Sequence, residues 1–104
     1  MVGIFSRVRE FLKQPARAKP LPVVVLYTRQ KCHLCEEAKD LLNKLQSEEP
    51  FNLEVFDVDA DPALRAQFNE DVPVVYIHGR RAFKHRIDGG KFLKSLRAGG
   101  NKLI

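Results

Sequence analysis

Val23-Val24-Val25-Leu26-Tyr27-Thr28-Arg29-Gln30-Lys31-Cys32-His33-Leu34-Cys35 is the stretch that decides how the chain is read. The near-continuous apolar run from Val23 to Tyr27 predicts a strand buried on both faces. Arg29-Gln30-Lys31 makes a basic turn, and a helix opens on two cysteines separated by two residues. These are the only two cysteines in the chain. A C-x-x-C pair where a strand turns into a helix is the redox signature of a βαβ unit.

The helix that starts near Cys32 carries Ala38, Leu41, Leu42 and Leu45 on one stripe, with Glu36, Glu37, Lys39, Asp40 and Lys44 opposite. Pro50 closes it. Leu53, Val55 and Phe56 begin a second strand that ends in the acidic Asp57-Val58-Asp59. Asp61-Pro62 reads as the N-cap and first position of a short helix. Val74 to Ile77 is a third strand, and His78-Gly79 or Gly79-Arg80 turns it into a fourth, Arg81 to Ile87. Its outward Lys84 and Arg86 suit an exposed edge. Gly89-Gly90 is expected to break the chain before a last amphipathic helix with Phe92, Leu93 and Leu96. The order from residue 23 is β-α-β-α-β-β-α. The first crossover should be right-handed and make its strands parallel, whereas the tight hairpin must be antiparallel. The expected fold class is therefore α/β, a mixed four-stranded sheet flanked by helices.

Outside that domain, placed at residues 21–98, lie a basic N-terminal extension, 1–20, and a tail, 99–104, expected to fray. In the extension Ile4, Phe5, Val8, Phe11 and Leu12 recur at helical spacing until Pro15. An amphipathic helix attached to the domain is one reading. A membrane-surface segment is another, and a targeting peptide that would send the protein to mitochondria is a third.

At 104 residues the chain suffices for one domain with a modest core. No apolar run is long enough to span a bilayer. Two closely spaced cysteines are no secreted disulfide scaffold, so a reducing, cytoplasmic compartment is expected. The net charge of +5 is unevenly placed. Residues 1–20 carry five Lys or Arg against Glu10, residues 21–77 five against eleven Asp or Glu, and residues 78–104 eight against Asp88. Such charge runs read as solvated faces, and no nucleic-acid partner is expected.

The chemistry follows from where the cysteines sit. A thiol attacks as its thiolate, and a helix N-terminus stabilises that charge with unpaired N–H donors and the positive end of the macrodipole. Cys32 is the expected nucleophile. Cys35, nearly one turn deeper, is the expected resolving thiol. Arg29, Lys31 and His33 add positive charge around Cys32, the last only when protonated. A zinc or cluster site from Cys32, Cys35 and His33 with His78 or His85 lacks a second C-x-x-C or H-x-x-x-H, so no metal is expected. An interaction protein with little turnover is a third reading.

Strand, C-x-x-C at a helix start, Val72-Pro73 entering a hairpin and Gly-Gly before a final helix together resemble the thioredoxin superfamily in its minimal glutaredoxin-like form. Leu26-Tyr27-Thr28-Arg29 ahead of Cys32-His33-Leu34-Cys35-Glu36-Glu37-Ala38, and Val58-Asp59-Ala60-Asp61-Pro62 ahead of Asp71-Val72-Pro73-Val74, resemble a small glutaredoxin-like group. The resemblance covers about residues 22–97. It implies a cis Pro73 near Cys32, thiol-disulfide exchange with protein or glutathione disulfides, and a monomer with no bound cofactor. It also implies glutathione as a co-substrate, with Arg29 on its carboxylate and Val72 pairing with its backbone. The sequence departs from that pattern in having His33-Leu34 between the cysteines, and Lys91-Phe92 where glutaredoxins present acidic residues.

Overall fold

The computed structural model describes residues 20–98. Both the N-terminal extension, apart from Pro20, and the tail 99–104 lie outside the described residues. Strand β1, Val23–Thr28, runs up the middle of the domain. Helix α1, His33–Glu48, returns along the sheet to β2, Asn52–Asp57. The chain then passes through a one-turn 3₁₀ segment at Val58–Ala60 into α2, Pro62–Phe68. A second such turn, Asn69–Asp71, leads to the hairpin of β3, Val74–Ile77, and β4, Arg80–Lys84. Helix α3, Gly89–Ala98, closes the domain.

The sheet has four strands in the order β2-β1-β3-β4. β1 and β2 are parallel, with Thr28 beside Asp57 at their C-terminal ends. β1 pairs antiparallel with β3, as β3 does with β4. The mixed α/β architecture is the one expected from the order of elements.

Alternation along β1 sends Val24 and Leu26 to one face and Val23, Val25 and Tyr27 to the other. The first face meets α1 and α3. Val24, Leu26, Leu42 and Phe92 are all fully buried there, with Ala38, Leu45, Phe51, Val75, Ile77 and Leu96 around them. The Phe92 ring stands edge-on to Phe51, with centroids 5.3 Å apart. The second face carries a smaller cluster of Cys35, Val58, Phe68, Val72 and Val74.

β1 is not buried on both faces as its composition suggests. Val23 is 41% exposed, because α2 has only seven residues and covers only the Tyr27 end of the strand. Two boundaries also differ from expectation. β4 stops at Lys84, because His85 takes φ +71° and leaves the extended region, its N–H donating to the Pro73 carbonyl at 2.7 Å. Gly89-Gly90 opens α3 instead of breaking the chain before it. Asp88 caps that helix, its Oδ1 accepting from the Lys91 N–H at 3.0 Å. The cap holds the first turn in place of the side-chain packing that the two glycines lack.

Asp61 caps α2 as its sequence signature indicates, its Oδ1 accepting from the Ala63 N–H at 2.8 Å, with Pro62 at the helix start. Asp61→Ala should cost about 1 kcal/mol in urea denaturation, the usual worth of such a cap. A cost near zero would mean that solvent satisfies the freed N–H equally well.

Candidate active site

The turn between β1 and α1 places the first cysteine. Gln30-Lys31 reverses the chain, with Lys31 at φ +58°, and Cys32 follows in extended geometry as the N-cap of α1. Glu36 N–H donates to the Cys32 carbonyl at 3.1 Å and so fixes the first helical turn. The Cys35 N–H points at the Cys32 Sγ, 3.2 Å away. A sulfur thus takes the place that a serine or aspartate oxygen usually fills at a helix start. Any negative charge on it is met by an N–H donor and by the helix macrodipole.

Cys32 and Cys35 form a disulfide with their Cα atoms 5.2 Å apart. The two sulfurs are unequal. Cys32 is partly exposed, whereas Cys35 is fully buried among Val58, Phe68, Val72 and Val74. The asymmetry comes from helical spacing, since a residue three positions in from the cap points inward at the sheet.

Val72 lies in the same apolar cluster as both cysteines. The Val72–Pro73 peptide bond is cis, as the family resemblance implies. Among the described residues, no backbone N–H outside the helices and strands donates to the Val72 carbonyl, and the Val72 N–H follows directly on the 3₁₀ turn Asn69–Asp71. The Pro73 carbonyl accepts from the His85 N–H.

Arg29 is paired within the protein. Its Nε donates to Asp59 Oδ2 at 2.9 Å and its Nη2 to Asp59 Oδ1 at 2.8 Å. Nη1 donates to the Asn69 carbonyl at 3.2 Å. The planar fork is therefore matched to a carboxylate of the protein's own. It clamps the turn after β1 to the segment after β2 and to the loop that leads to Val72. Sequence reading missed Asp59 and Asn69 as partners of the site. A usable signal was present: the C-terminal ends of parallel strands lie at one sheet edge, so the residues following β1 and β2 had to meet.

Hydrogen bonding to Arg29 holds the Asp59 carboxyl below its ordinary range, with the charges of Arg29 and Arg65 adding to the effect. A carboxyl depressed in the folded state stabilises the fold above the unfolded value of ~3.9 and loses that contribution as pH falls through the lower folded value. Asp59→Asn should therefore be less stable than wild type at neutral pH, with the gap closing in acid. Urea midpoints measured from neutral pH down to acid check this, and a gap that does not change with pH would contradict it.

The other charges near the thiol are partly offset. His33, 87% exposed, lies 2.9 Å from Glu37, which also sits 3.8 Å from Arg86. Beside them Leu34, Glu37, Ala38, Leu41, His85, Arg86 and Ile87 line a cavity of about 220 Å³ that includes neither cysteine. The histidines considered as metal ligands are engaged elsewhere. His78 Nε2 lies 3.0 Å from the Leu96 carbonyl, and His85 Nε2 lies 3.0 Å from that of Glu70. Among the described residues no three His, Cys, Asp or Glu side chains are grouped to hold a metal ion. No helix among those residues is long and apolar enough to cross a membrane.

Comparison with known proteins agrees with this geometry. The sequence profile of the glutaredoxin-like domain (DUF836) matches residues 23–97. A glutaredoxin-like protein of Dictyostelium discoideum is 34% identical over 76 residues, which is 67% of this chain and 70% of that protein. An uncharacterized protein of Mycobacterium tuberculosis is 36% identical over 72 residues, 64% of this chain and 74% of its own. Among solved structures, protein Ne2328 of Nitrosomonas europaea superposes with a TM-score of 0.67 at 28% identity, covering 79% of this chain and 99% of that one. A thioredoxin of Halobacterium salinarum superposes at 0.56 with 17% identity, over 76% and 74% of the two chains, a likeness of fold. With a strand, a cysteine pair at a helix start and a Val-Pro loop in these positions, the chain belongs to the glutaredoxin-like family of the thioredoxin superfamily.

Proposed function

We propose that the protein is a thiol-disulfide oxidoreductase in which Cys32 is the nucleophile and Cys35 the resolving thiol. The observation that carries this is the placement of the partly exposed Cys32 as helix N-cap, its sulfur 3.2 Å from the Cys35 N–H, beside a fully buried second cysteine. In the reduced protein the Cys32 thiolate attacks one sulfur of a substrate disulfide. A bond forms between Cys32 and that sulfur, the substrate S–S bond breaks, and the other half leaves as a thiolate. Cys35 then loses its proton and attacks the Cys32 sulfur. The second half of the substrate leaves and takes up a proton, and the Cys32–Cys35 disulfide closes. Two electrons have passed from protein to substrate, and an external thiol reductant restores the dithiol.

The substrate class we favour is a protein disulfide presented in an extended segment, with glutathione disulfides as the alternative. Val72 packs in one cluster with the two cysteines, and an extended chain pairing with its backbone in strand fashion would lie beside the thiol. Glutathione offers the same backbone groups, but the guanidinium that would take its carboxylate is already matched to Asp59. Lys91, at the start of α3, opposes rather than attracts an amine.

Steady-state turnover of a protein disulfide and of a glutathione mixed disulfide, each with an excess of a dithiol reductant, tests the proposal. Turnover of the protein disulfide at the higher kcat/KM is expected. Turnover of neither would remove the enzymatic reading and leave that of an interaction protein.

A further inference from the structure

His85 leaves the pattern of its strand, and two of its N–H donors turn to one short segment. It follows the last residue of β4 and is half-buried, at φ +71°. That left-handed conformation is uncommon for a residue with a Cβ. Such a conformation persists only where the surroundings hold it, and it is concentrated at functional sites. Two bonds hold it here. The backbone N–H donates to the Pro73 carbonyl at 2.7 Å, and Nε2 lies 3.0 Å from the Glu70 carbonyl. A carbonyl only accepts, so Nε2 carries the hydrogen of that bond. His85 therefore grips Glu70 and Pro73, the residues on either side of Asp71-Val72. Asp71 itself lies 3.8 Å from Lys84 and 4.0 Å from Arg81, exposed ion pairs that add little. Upstream, Arg29 Nη1 holds the Asn69 carbonyl. Between these anchors Val72 packs into the cluster that contains Cys35 and adjoins Cys32.

We propose that His85 is a positioning residue for substrate: through its bond to Glu70 it fixes where the Val72 backbone stands relative to Cys32. The inference rests on the thiol-disulfide reading above and adds to it a residue outside the cysteine motif. The bond to Pro73 comes from the backbone, and any residue but proline at position 85 could make it. The bond to Glu70 needs a side chain with a donor at the right reach, so it is what the histidine adds. The imidazolium carries hydrogen on both nitrogens, so the bond requires a donor and not a particular charge. An extended chain lying along the Val72 backbone binds best if that backbone is already in place, because ordering it on binding subtracts from affinity. His85 should therefore matter to a substrate that pairs with Val72 and leave the intrinsic reactivity of the Cys32 thiol unchanged.

Single-turnover reaction of the reduced full-length protein tests this with two reagents that release the same coloured thiolate. One is a short unstructured peptide whose only cysteine carries a thionitrobenzoate group. The other is dithiobis-nitrobenzoate, which has no peptide backbone. With the first, the Cys32 thiolate bonds to the peptide sulfur, the S–S bond breaks, and thionitrobenzoate leaves with its electron pair. With the second, one half bonds to Cys32 and the other leaves in the same way. His85→Leu, similar in size but without a donor, should slow the peptide reaction about tenfold, the scale of one hydrogen bond. It should leave the rate with the small reagent unchanged. His85→Gln, which restores an N–H donor at comparable reach, should restore the peptide rate. Both variants keep a Cβ at φ +71°, so backbone strain is common to them. If His85→Leu does not fold by circular dichroism, His85→Gly, which suits that φ, takes its place. Equal peptide rates in His85→Leu and wild type would overturn the proposal, as would equal slowing with both reagents or failure of glutamine to restore the rate. Wild type that reacts with neither reagent would remove the thiol chemistry itself, and the inference with it.

Discussion

Cys32→Ser should lower disulfide turnover to the uncatalysed rate, while Cys35→Ser should leave a protein that still attacks disulfides but stops at the first step. The difference follows from the positions of the two sulfurs. Cys32 is partly exposed, and its sulfur accepts from the Cys35 N–H. A serine hydroxyl there keeps the helix cap but is not ionised near neutral pH, so the nucleophile is lost without loss of the helix. Cys35 is fully buried among apolar side chains, where no incoming disulfide can meet it. Its thiol is needed only once Cys32 has formed a mixed disulfide within its reach. The Cys35→Ser protein should therefore accumulate one substrate adduct, on Cys32, visible by intact mass. Turnover that survives Cys32→Ser would end the proposed mechanism, as would adducts on Cys35 in that variant.

Phe92→Ala should cost the fold about 3–5 kcal/mol. Phe92 is fully buried between α3 and the sheet, with the Phe51 ring 5.3 Å away edge-on and the Phe83 ring at 6.5 Å. Its loss removes transfer free energy and leaves a cavity walled by α1, β4 and the residue that starts the approach to β2. Those walls belong to three separate elements, so they cannot collapse together into the space. For a domain whose whole stability is of order 5–15 kcal/mol, this is a large share. Urea denaturation of the reduced proteins, which holds the redox state fixed, should show the midpoint falling with the slope unchanged. A cost below about 1 kcal/mol would mean that α3 is not fastened to the sheet through this residue.

The fold was largely legible because its signals are local. An apolar run followed by two cysteines at a helix start, an Asp-Pro pair opening α2 and a Gly-containing turn between short apolar strands each require only neighbouring residues. The features that escaped sequence reading depend on what lies across the molecule. Arg29 could be recognised as a basic residue beside the thiol, but not as one already bound to Asp59, thirty residues away in the chain. The apolar run of β1 says that both faces avoid water, yet not that α2 is too short to cover one of them. His85 reads as a strand residue by alternation, and only its bond to Pro73 shows why β4 ends before it. Motif and resemblance named Cys32, Cys35 and Val72, which the fold packs into one cluster. The pairing of Arg29 with Asp59 required the structure.

The most direct measurement of the central assignment is the pH dependence of alkylation at each thiol in the reduced native protein, with the two sites separated by peptide mass spectrometry. Cys32 should react first, with a midpoint below the ~8.5 of a free thiol, and Cys35 should stay unmodified until the protein is denatured. A Cys32 midpoint at or above the free value, or modification of Cys35 ahead of Cys32, would contradict the assignment of nucleophile and resolving thiol.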